Sequence, residues 1–80
     1  MQTREMLFKN MHNAIMRYIE HTKKKPYIVF IKPYIEYELS KQELKNMSFI
    51  YNVGFVIKKD LHEDFMVLSE EDFKKWGKEL

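Results

Sequence analysis

The thirteen residues from Tyr27 to Leu39 constrain this chain more than any other stretch, because β-branched and aromatic side chains dominate them. Such residues suit a pleated, half-buried surface. Pro33 divides the stretch. Tyr27-Ile-Val-Phe-Ile31 is apolar at every position, the pattern of a strand covered on both faces. Beyond the proline, Ile35, Tyr37 and Leu39 alternate with Tyr34, Glu36 and Glu38, which predicts a second strand with one solvated face.

The flanks of this stretch read as helices. Leu7, Met11, Ala14, Ile15, Tyr18 and Thr22 recur at three- and four-residue steps, so they share one stripe of a helix from about Arg4 to Thr22. Thr3 stands at its N-cap, and Pro26 ends the segment by forcing the residue before it towards extended geometry. After the central stretch, Ser40-Lys-Gln-Glu43 has the form of a capping box, followed by Leu44, Met47, Ser48 and Tyr51 on one helical face. Phe49-Ile50-Tyr51 and Val53 also carry strand propensity. The helix over Lys41 to Asn52 is the preferred reading, with Gly54 as its stop.

Phe55 to Lys58 and Phe65 to Leu68 read as strands joined by a polar loop, Lys59 to Asp64. Ser69 is placed to cap a final helix, with Glu70, Glu71 and Asp72 in its first turn and Phe73, Trp76 and Leu80 on its apolar stripe. The predicted order is α-β-β-α-β-β-α. It gives an α+β fold in which an antiparallel sheet of about four strands is packed by an N-terminal and a C-terminal helix. Leu7, Ile15, Phe30, Ile31, Val56, Ile57, Phe73 and Trp76 form the expected core. Eighty residues suit one domain spanning 1–80, near the size at which a single core suffices.

Composition removes several classes of chemistry. Cysteine is absent, so there is neither a disulfide framework nor a thiolate metal site. Two glycines, Gly54 and Gly77, cannot build a phosphate-cradling loop. Ser40, Ser48 and Ser69 have no base at a telling spacing, and two of them fit helix caps. The Asp60-Leu-His-Glu-Asp64 loop matches no common ligand spacing and reads as a solvated hairpin loop, while His12 and His21 fall on opposite sides of their helix. No catalytic residue, metal site or cofactor is implied. Apolar runs are too short for a membrane span, and the chain reads as a cytoplasmic binding protein rather than an enzyme.

Glu36 and Glu38 add one resemblance. Metal-dependent nucleases often carry a strand ending in E-x-K, and the order strand, helix, glycine, strand from Tyr34 to Lys58 resembles part of that fold. Here Glu38 stands where the lysine would be, and no aspartate lies upstream. The resemblance implies a nuclease-like topology without the activity.

Two binding modes remain. Protein contact is the first expectation, through Tyr34, Tyr37, Met16 and Arg17, because Tyr, Met and Arg are enriched at interfaces. A regulator or inhibitor of a larger macromolecular machine, or a homo-oligomer, suits a short chain without catalytic groups. The bias towards Lys, Ile, Tyr and Asn suits an AT-rich bacterial or phage genome. The alternative is nucleic-acid binding by Lys23, Lys24, Lys25, Lys32, Lys58 and Lys59 with interleaved tyrosines. Charge is uneven beneath a net +2: residues 1–26 carry six Lys/Arg against two acids, and residues 60–80 carry three against seven. Such ends commonly attract each other as solvated faces.

Overall fold

The computed structural model describes residues 3–78 and shows an α+β domain. Its elements are α1 (Arg4–Thr22), β1 (Ile28–Ile31), α2 (Pro33–Glu38), α3 (Lys41–Tyr51), β2 (Gly54–Ile57), β3 (Phe65–Leu68) and α4 (Glu70–Lys78). The strands make one mixed sheet in the order β2-β1-β3.

Three helix starts follow the expected chemistry. The Thr3 hydroxyl accepts from the Met6 amide at 3.2 Å. Ser40 and Glu43 complete a capping box, so residues 41–51 are helical despite the strand propensity of Phe49 and Ile50. Ser69 accepts from the Asp72 amide at 3.1 Å. Replacing Ser40 by alanine is expected to cost about 0.5–2 kcal/mol in a denaturant melt, with aspartate nearly neutral there. Both α1 and α3 stop through a left-handed residue, Lys23 at φ 59° and Asn52 at φ 55°. The stop of α3 is thus Asn52 rather than Gly54. Gly54 begins β2, where an added Cβ would lie 3.0 Å from the Ile28 side chain.

The second predicted strand is a helix instead. Lys32 is its N-cap and Pro33 occupies the first turn, where the missing amide hydrogen is no loss. Ile35 and Leu39, one helical turn apart, are both fully buried, whereas Tyr37 between them is 90% exposed. The sheet therefore has three strands among the described residues, not four. The pairing changes with it, because α2 and α3 form a crossover that returns the chain parallel to β1. Ile28 pairs with Gly54 and Ile31 with Ile57 in parallel, while β3 runs antiparallel on the other side.

The two sheet faces are covered unequally. Val29 and Ile31 point to one face and pack with Leu7, Met11, Ile15, Ile35, Leu39, Met47, Val53 and Phe65. That core lies under α1, α2 and α3. Phe30 points the other way and is fully buried against α4, its ring centroid 4.9 Å from Trp76 and 6.2 Å from Phe73. Of the expected core, Leu7, Ile15, Phe30 and Ile31 are buried, and Phe73 and Trp76 are half-buried. Val56 and Ile57 are 37% and 45% exposed, because β2 is an edge strand rather than an interior one. The expected place of Leu80 lies outside the described residues. No helix among the described residues is long and apolar enough to cross a membrane.

Candidate partner-binding surface

The four residues expected to meet a protein partner lie on two helices, Met16 and Arg17 on α1 and Tyr34 and Tyr37 on α2. Tyr37 projects from α2 into solvent. Tyr34, three residues before it, is half-buried and packs against the main core, as does Met16 on α1. Arg17 is exposed and lines a groove between α1 and β3, beside Tyr18, His21 and Glu63.

Tyr34 serves the fold. Burial, and a hydrogen bond to the neighbouring Asp64 carboxylate, push its phenol up to about 12 from an ordinary 10. The fold thus favours the neutral phenol. As pH rises past 10 the unfolded chain loses this proton, while the folded chain keeps it until about 12. The unfolded state then binds fewer protons, so stability is expected to fall across that window. Asp64→Asn should move the phenol down, though not fully, since burial is the larger cause; the pH dependence of the Tyr34 ring signals in NMR measures this directly.

The six lysines of the nucleic-acid alternative are likewise divided. Lys23, Lys24 and Lys25 precede β1, whereas Lys32, Lys58 and Lys59 follow β1 or β2, about 13 Å away at the usual strand rise. Three are engaged within the domain. Lys24 meets Asp72 at 3.7 Å and Lys32 meets Asp64 at 3.8 Å. Lys58 meets Asp60 at 3.2 Å and lies over the Trp76 ring, 4.6 Å from its centroid. That ammonium also holds the Asp60 carboxyl below its ordinary range.

Glu36 and Glu38 lie on helix α2, so the strand on which the nuclease resemblance rested does not exist. Among the described residues no three His, Asp or Glu side chains come together as a metal site. The Ser48 hydroxyl donates to the Val53 carbonyl, and Ser40 and Ser69 are occupied as caps. His12 and Tyr51 hydrogen-bond at 2.6 Å, joining α1 to α3.

A surface not anticipated from the sequence lies on α3 and β2. The stripe Leu44, Met47, Ser48 and Tyr51 turns inward, which leaves Phe49 90% and Ile50 70% exposed on the outside of the helix. Beside it runs a groove of about 300 Å³, floored by Ile31, Leu44, Phe55 and Ile57 and rimmed by Glu36, Lys41 and Lys45. The off-stripe position of Phe49 and Ile50 on a helical wheel was the signal available for half of this surface. The groove required knowing that β2 lies at an edge.

Comparisons with family models, with curated proteins and with solved structures gave no match.

Proposed function

We propose that this domain is a non-catalytic binding protein that acts through protein–protein contact, as a regulator or inhibitor of a larger assembly. The observation that carries this reading is the exposure of Phe49, Ile50 and Tyr37 on α3 and α2. Isolated exposed apolar residues are ordinary, but two large adjacent side chains on the outer face of a short helix are costly to solubility unless covered. Aromatic anchors of this kind dominate binding energy where they are desolvated by a partner. Nucleic acid is the weaker reading, since the lysines are divided between two ends of the sheet and three are engaged internally.

The test compares wild type with Phe49→Ala/Ile50→Ala as bait for proteins from the source cell, with and without nuclease treatment. The exposed positions should leave stability within about 0.5 kcal/mol of wild type. Affinity for the captured partner should fall by about 2 kcal/mol or more, roughly thirtyfold. Capture that survives the substitutions unchanged, or that vanishes with nuclease, would remove this reading.

A further inference from the structure

The open edge of β2 has a built chemistry of its own. Gly54 and Lys58 donate their amides to the Tyr27 and Ile31 carbonyls, at 2.9 Å each. Alternation along a strand then turns the backbone N–H and C=O groups of Phe55 and Ile57 away from β1, towards the open edge. The residues of β2 are also thinly covered, none of the four being buried, whereas β3 at the opposite edge buries Phe65 beneath α1. The apolar groove between β2 and α3 runs along this edge.

We infer that β2 accepts an extended acidic segment of another protein as an added strand. The backbone of that segment would hydrogen-bond to Phe55 and Ile57, and every second side chain would face α3, an apolar one entering the groove over Leu44 and the carboxylates on either side of it meeting Lys41 and Lys45. Charge decides between this occupant and a second copy of the chain. Among the described residues Lys41 and Lys45 have no ion-pair partner, and Glu36 is the one acid on the groove rim. Twofold pairing through β2 sets α3 beside its own copy on the same sheet face, so these lysines would confront like charge. An acidic strand removes that repulsion and supplies the missing counter-charge. The inference rests on the protein-binding reading and names the chemistry of the partner.

The experiment uses the whole chain and three short synthetic peptides with blocked ends. One carries glutamate, valine and glutamate at every second position with threonine between them, one has lysine in place of glutamate, and the third is the glutamate peptide with alternate backbone amides methylated. Amide exchange read by NMR reports the site. The glutamate peptide should slow exchange at Phe55 and Ile57 by about tenfold or more, and the lysine and methylated peptides should not. Lys41→Glu/Lys45→Glu should reverse the preference between the glutamate and lysine peptides without altering the fold. Absence of protection at millimolar peptide, protection at Phe65 and Val67 instead, or equal binding of the methylated peptide each overturns the inference. So does protection that grows with protein concentration alone, which would identify a second copy as the occupant. If the peptides fail while Phe49→Ala/Ile50→Ala still abolishes partner capture, strand addition falls and the protein-binding reading stands.

Discussion

Phe30→Ala is expected to destabilise the domain by about 3–5 kcal/mol, the range for deleting a fully buried aromatic ring. Phe30 is the sheet's main contribution to its second face. Its ring packs against both Phe73 and Trp76, which also stack on each other, with Tyr27 packed on Phe73 at 5.9 Å. Removing it leaves a cavity that α4 must collapse into, because among the described residues no other helix covers that face. An 80-residue domain has on the order of 4–12 kcal/mol of stability in total. The variant should therefore lose a large share of that stability, with α4 the first element to lose amide protection. A denaturant melt checks it, and a loss below about 1 kcal/mol would show that α4 is not held through Phe30. Trp76→Ala should cost less than Phe30→Ala, since Trp76 is half-buried where Phe30 is fully enclosed.

The second large effect belongs to α2. Ile35→Ala is expected to cost about 2–5 kcal/mol as a large-to-small change at a fully buried site. A helix of six residues has no independent stability, so α2 exists only because Ile35 and Leu39 are anchored in the core. The same substitution should therefore release Tyr34 from its contact with Asp64 and bring its phenol back towards its ordinary value. A melt and an NMR titration of Tyr34 on one variant measure both consequences. Tyr37→Ala, two residues away, should leave both unchanged because Tyr37 projects into solvent.

These residues also show why part of the fold was legible in the sequence and part was not. The long helix α1, the capping box at Ser40 and the cap at Ser69 were readable because each is a local arrangement of side chain and backbone. Residues 33–39 were not, and the cause is arithmetic. Ile35 and Leu39 are four apart, which places them on one face of a strand and also one turn apart on a helix. Tyr37 fits the strand pattern by chemistry and the helix only by being exposed. The proline, read as a divider between strands, is equally at home in the first turn of a helix. Sheet topology inherits this ambiguity. A strand at 34–39 would have made a hairpin with β1, whereas a helix there makes β2 return in parallel. The candidate surface was less legible still, since Phe49 and Ile50 carry their binding character only once residues 41–51 are known to be helical.

The position of β1 in the chain has a consequence during synthesis. It is the central strand, yet Gly54, which pairs with Ile28, follows it by 26 residues, and Leu68, its other partner, follows by 40. At about 5–20 residues per second, a nascent chain carries Ile28-Val-Phe-Ile31 without neighbours for roughly one to five seconds before β2 emerges. During that interval α1, already made, can shelter only the Val29 and Ile31 side. The Phe30 side waits for Phe73 and Trp76, so the most apolar strand is also the longest exposed to other nascent chains and to holding chaperones.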